Sequence, residues 1–117
     1  QFGLVGSEMC IRDRNSNIFK YAYCSDTAYN PKIIDKIKNI DLLYHEATFL
    51  KEHSALAIKT KHSTSVDAAN IAKEANVKML LMGHFSTRYK NLEKFKTEAS
   101  YIFNNSHIAI QGIKYNF

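Results

Sequence analysis

No apolar run in the 117 residues approaches the roughly 18 that a helix needs to cross a bilayer. Cysteine is nearly absent. Cys10 and Cys24 cannot make a disulfide framework, so a reducing compartment, the cytoplasm, is expected. No long apolar core follows a basic start, so the first residues do not read as a signal peptide. Internal repeats, low-complexity tracts and linker-like stretches are also missing, which leaves one domain at most, large enough to bury a core. Nor is there a dense basic block. The net charge is +5, but the lysines are scattered, and charge alone does not assign a polyanionic partner.

Residues 1–14, QFGLVGSEMCIRDR, show no clear amphipathic pattern. The string LVGSEMCIRDR resembles translated read-through of a sequencing adapter. These residues are therefore set aside as non-native, and residues 15–117 are taken as the domain segment. On that reading, an upstream part of the gene product is expected to be missing.

What remains alternates between strand and helix signals. Residues 15–17 read as a polar turn. Residues 18–24, IFKYAYC, are apolar and aromatic, as a strand requires, and end in Ser25, Asp26 and Thr27. Asn30 and Pro31 open a helix as cap and first helical residue. Its Ile33, Ile34 and Ile37 share a face, and lysines and Asp35 occupy the rest. Residues 41–45, DLLYH, read as the next strand and lead into Glu46, Ala47, Thr48 and Phe49. Residues 50–61 predict either a short helical turn or a covering loop. His53 has no evident partner and reads as solvated. Residues 92–104 carry Leu92, Phe95, Ala99, Ile102 and Phe103 on one helical face. His107 reads as a turn residue before a final strand, or two short ones, over 108–117.

The most informative stretch is 61–89, KHSTSVDAANIAKEANVKMLLMGHFSTRY. Ser63, Thr64 or Ser65 can cap a helix over 66–75, and Asp67 stands three residues after Thr64, as in a capping box. Its alanines can pack closely on a sheet. Residues 77–82 form a buried-strand run, ended by Gly83 and followed by His84. Strand–helix–strand order with short connections implies parallel strands joined by right-handed crossovers. Asp26, Glu46 and His84 would then emerge together at the carboxyl edge of the sheet, where open α/β sheets place their ligands. Taken singly, each of these residues reads first as structural, Asp26 as a turn former.

Four segments in order, YCSDT (23–27), HEATF (45–49), KHST (61–64) and GHFSTRY (83–89), resemble the C-terminal part of ribonuclease Z. That family of tRNA 3′-processing endonucleases has the metallo-β-lactamase fold. The resemblance implies an α/β segment forming the C-terminal half of an αββα sandwich. It implies a zinc pair, with Asp26 bridging both ions and His84 ligating one, the ions standing about 3.5–4 Å apart. His62 would donate the proton to the leaving 3′-oxygen, oriented by Glu46. Arg88 would contact phosphate through its planar fork. Ser86 and the amides that open the 65–66 helix would assist. The implied reaction is metal-hydroxide attack on a phosphodiester, removing 3′ trailers from precursor tRNA. A cytoplasmic homodimer without membrane association is the implied setting.

One departure is large. The family's HxHxDH segment has no counterpart among the five histidines, so Asp26 and His84 alone represent the ligand set. The chain by itself is expected neither to hold two zincs nor to cleave RNA. Two other readings compete. One is a different metallo-β-lactamase phosphodiesterase or hydrolase using the same Asp26 and His84. The other is a non-catalytic α/β binding module in which these side chains only form turns and caps.

Overall fold

Three strands expected to be buried and parallel form the centre of the sheet. In the computed structural model, which describes residues 3–4, 9–12 and 18–110, two short strands precede them, β1 (Gly3–Leu4) and β2 (Met9–Arg12). Both pair antiparallel with β3 (Ile18–Ser25). They belong to the segment set aside as non-native, the rest of which lies outside the described residues, as do 13–17 and 111–117. Strand β4 (Leu42–Glu46) lies parallel to β3, β5 (Met79–Gly83) parallel to β4, and β6 (Ser106–Ile108) parallel to β5.

Strand alternation sorts the side chains. Ala22, Cys24, Leu43, Leu80 and Met82 are buried in one cluster with Ala68, Ala69, Ile71, Ala72, Phe95 and Ala99. The alanines come from α2 (Ser65–Glu74), and Phe95 and Ala99 from α3 (Glu93–Ser100). Small side chains on α2 let the helix approach the sheet closely. Burial pushes the Cys24 thiol up to about 12, so it behaves as a core residue. Tyr23 and Tyr44 alternate to the other side of the sheet and stack with ring centroids 4.6 Å apart.

Several local expectations need correction. The segment after Asn30 is a 3-10 helix, Pro31–Ile37, not an α-helix. Asn30 caps it as expected, accepting from the Lys32 amide, and Ile33 and Ile37 are buried. Of the two readings of residues 50–61 the helical one holds: a 3-10 turn (Lys51–His53) runs into a short helix, α1 (Ser54–Thr60), which ends at Lys61 in the left-handed region. Helix α3 stops at Ser100; Ile102 and Phe103 follow it and still pack partly against the core. His107 lies within β6, its ring 2.7 Å from Asn105 Oδ1, and is no turn residue. The alternation at 113–117 falls outside the described residues.

Gly83 ends β5 as its last residue, as expected. A Cβ there would stand 2.0 Å from the Tyr44 hydroxyl. Only hydrogen fits beneath that ring.

Candidate active site

The carboxyl ends of β3, β4 and β5 deliver three of the four principal side chains. Asp26 follows β3, Glu46 closes β4 and His84 follows β5. Asp26 and His84 both have positive φ, 52° and 64°. Non-glycine residues pay for that conformation, and such residues cluster at functional sites. The fourth, His62, comes from the loop between α1 and α2. Its amide bonds the Ala57 carbonyl at 2.9 Å. The next residues, Thr64 and Asp67, form the reciprocal capping box that starts α2. A cap of this kind is worth about 1 kcal/mol, and it fixes where the chain turns just after His62.

Ligating atoms of Asp26, Glu46, His62 and His84 all lie within 4.8 Å of one another. Glu46 is fully buried and His62 half-buried, while Asp26 and His84 face solvent. His84 Nε2 is 4.0 Å from Asp26 Oδ1, and two donors on a tetrahedral zinc stand about 3.4 Å apart. A sub-ångström closure therefore fits both to one divalent ion. The carboxylate–imidazole donor set suits zinc and its neighbours rather than magnesium or calcium.

Glu46 is the hub. Its Oε1 accepts from the Thr27 amide at 2.7 Å, and its Oε2 from the Ser63 amide at 3.0 Å and the Thr48 hydroxyl at 2.7 Å. His62 Nδ1 lies 3.0 and 3.1 Å from the two oxygens. Burial pushes the carboxyl pKa up, but the bonds from His62, Ser63, Thr48 and Thr27 outweigh it and hold it below the ordinary glutamate value. Ser63 also bonds the Thr27 carbonyl through its hydroxyl. The loops after β3 and before α2 are thereby joined twice.

Arg88 and Ser86 stand outside the four-residue cluster. The exposed Arg88 guanidinium lies 5.7 Å over the ring of Phe49, and Phe49 meets the His62 ring edge-on at 6.4 Å. Ser86 donates its amide to the Thr48 carbonyl at 2.9 Å, and its hydroxyl accepts from the Arg88 amide at 3.3 Å. The Ser65 amide, expected to face an anion, instead donates to the Phe49 carbonyl at 3.0 Å. It is spent on holding the loop after β4.

His53 is not simply solvated. Its Nδ1 is 2.5 Å from the Tyr89 hydroxyl, which also accepts from the Leu50 amide at 3.0 Å. Tyr89, Thr48, Thr27 and Ser63 are the contributors that the residue-by-residue reading missed. All four lie inside the quoted motifs, and Thr27, Ser63 and Tyr89 directly follow Asp26, His62 and Arg88; that adjacency is the signal that would have found those three.

The architecture recurs in solved structures. The metallo-β-lactamase fold protein YhfI of Bacillus subtilis superposes with a TM-score of 0.78 at 27% identity, over 93% of this chain and 43% of that one. A long-form RNase Z from yeast superposes at 0.67 with 36% identity, over 73% of this chain and 12% of that one. The parallel sheet with an acid–imidazole cluster at its strand ends is thus a segment of the metallo-β-lactamase fold. No protein-family profile matches the chain.

In sequence, the chain is 47% identical over 105 residues to ribonuclease Z of Cytophaga hutchinsonii, covering 90% of this chain and 33% of that protein. It is 50% identical over 94 residues to ribonuclease Z of Bacteroides thetaiotaomicron, covering 80% and 30%. These ribonuclease Z proteins are homologues of the chain, which spans about a third of their length.

Proposed function

We propose that the protein carrying this chain is a zinc-dependent endoribonuclease that removes 3′ trailers from tRNA precursors. The observation that carries this reading is the Glu46–His62 pair, set beside Asp26 and His84 in one cluster. Identity to ribonuclease Z relatives supports the substrate class.

Asp26 and His84 would hold the metal, with Asp26 bridging a pair. Bound there, the metal supplies Lewis acidity toward phosphate oxygens and lowers the pKa of water. Glu46 holds the Nδ1–H of His62, so Nε2 is the nitrogen that delivers a proton. As water adds to phosphorus, losing a proton to a general base supplied from outside this chain, the P–O3′ bond breaks and the departing 3′-oxygen takes the proton from Nε2. Arg88, resting on Phe49 with its five donors free of any carboxylate partner among the described residues, contacts the phosphate next to the cleaved bond. Ser86 assists from the same loop. A homodimer in the cytoplasm is the expected setting, and residues 1–14 are read as non-native.

The test offers the intact, metal-loaded protein a precursor tRNA, a cyclic nucleotide and a sulfate ester. Cleavage of the tRNA alone, leaving a 3′-hydroxyl, is expected. Turnover of a small ester without tRNA cleavage would assign it to another metallo-β-lactamase hydrolase. Absence of stoichiometric zinc would return it to a non-catalytic binding module.

A further inference from the structure

We propose that the hydroxyl of Thr48 is the positioning group for His84, fixing the ring so that Nδ1 carries the proton and Nε2 offers its lone pair toward Asp26. This rests on reading His84 as a metal ligand. It concerns how that ligand is prepared.

Hydrogen-bond bookkeeping leads there. Thr48 Oγ1 stands 2.7 Å from Glu46 Oε2 and 3.0 Å from His84 Nδ1. A hydroxyl has one hydrogen to give. Glu46 already accepts backbone N–H groups on both oxygens, from Thr27 and from Ser63. As a carboxylate it can only accept, so Thr48 spends its hydrogen there. What Thr48 turns to His84 is a lone pair. A bare ring nitrogen facing that lone pair at 3.0 Å would be repelled, so Nδ1 must carry a proton. In a neutral imidazole the remaining nitrogen, Nε2, is then unprotonated. That nitrogen is the one 4.0 Å from Asp26 Oδ1.

Metal-binding histidines generally donate their second ring N–H to a fixed acceptor, which sets ring and tautomer. Thr48 is such an acceptor, and it is itself held. Its side chain is almost fully buried, and its carbonyl accepts the Ser86 amide at 2.9 Å. The chain Glu46–Thr48–His84 therefore joins the proton-donating half of the site to the metal-holding half through one hydroxyl.

The experiment records ring-nitrogen NMR signals of His84 in the metal-free intact protein, and zinc affinity with and without substitution. The unsubstituted protein should show the Nδ1–H tautomer. The Nε2–H form would overturn the proposal without any variant. Thr48→Val, nearly isosteric, should lose that tautomer preference and bind zinc about 10–100-fold more weakly. Thr48→Ser should restore both. If Thr48→Val keeps both the tautomer and the affinity, Thr48 does not position His84. If Thr48→Val shifts the tautomer while zinc affinity stays unchanged, the positioning role in metal binding is overturned. His84→Ala separates the two levels: unchanged zinc binding in that variant defeats the ligand reading, while the tautomer of the unsubstituted protein still judges Thr48.

Discussion

The carboxylate of Glu46 is wholly buried and faces Nδ1 of His62, 3.0 Å away, on a ring that is one-quarter exposed. One partner is shielded and immobile, and the other reaches solvent. That is the arrangement of an orienting acid behind a proton donor. Removing the ring should therefore remove proton delivery but leave the metal. In the intact protein, His62→Ala should slow precursor cleavage about 10²–10⁴-fold, with zinc content by atomic absorption close to that of the unsubstituted protein. An unchanged rate would take His62 out of the mechanism.

Asp26 is three-quarters exposed and 4.0 Å from His84 Nε2. Since its carboxylate takes no part in the bonds around Glu46, Asp26→Ala should leave folding nearly intact. Metal occupancy should fall, measured as zinc per protein after gel filtration. Retention of two zincs per site would contradict a bridging role.

Tyr89 ties the loop after β4 to the loop after β5 through Leu50 and His53, and its ring packs edge-on against buried Phe95 with centroids 5.1 Å apart. Tyr89→Phe keeps the packing and deletes both hydroxyl contacts. A loss of about 1 kcal/mol in unfolding free energy is expected, visible in urea denaturation. No change in midpoint would show that these contacts add nothing to stability.

His45 is fully buried, its Nδ1–H donates to the Glu46 carbonyl at 2.8 Å, and its Nε2 has no partner among the described residues. Burial pulls its pKa below the ordinary 6.5, against the raising influence of the Glu46 bond and the Glu46 and Asp67 charges. Above about pH 6.5 the ring is neutral in both folded and unfolded chains. As pH falls below that, the unfolded chain takes up a proton that the folded chain refuses, so stability declines toward the folded pKa. The slope is at most about 1.4 kcal/mol per pH unit. Glu46 is depressed in the folded state too, so the stability it contributes is lost only at lower pH, below the ordinary 4.5. Denaturation midpoints at pH 7.5 and 5.5 should differ less in His45→Asn, which keeps a donor near Nδ1 and removes the titrating ring. An equal pH drop in that variant would place the effect elsewhere.

Much of this was legible in the sequence where local chemistry decides the outcome. The Thr64–Asp67 box, the Asn30 cap and the apolar run into Gly83 each name their own structure. Parallel pairing followed from the order of elements, and with it the meeting of Asp26, Glu46 and His84. The rest depends on distance in space. Seven residues after Asn30 can wind as α or 3-10, because the cap and the opening proline serve both. His53 looked unpartnered because Tyr89 is 36 residues away. The amide of Ser65 looked free because the Phe49 carbonyl reaches it only through the fold. Periodicity reports which face is buried and is silent about which donor meets which acceptor.

Three loops reach one shielded carboxylate, and that has a dynamic consequence. The Thr27 and Ser63 amides lie 36 positions apart along the chain, yet both end on Glu46. Neither can open without disturbing an acceptor that the other shares. Their deuterium uptake should therefore rise and fall together, as members of one cooperative unit, while amides nearer to each in sequence exchange on schedules of their own.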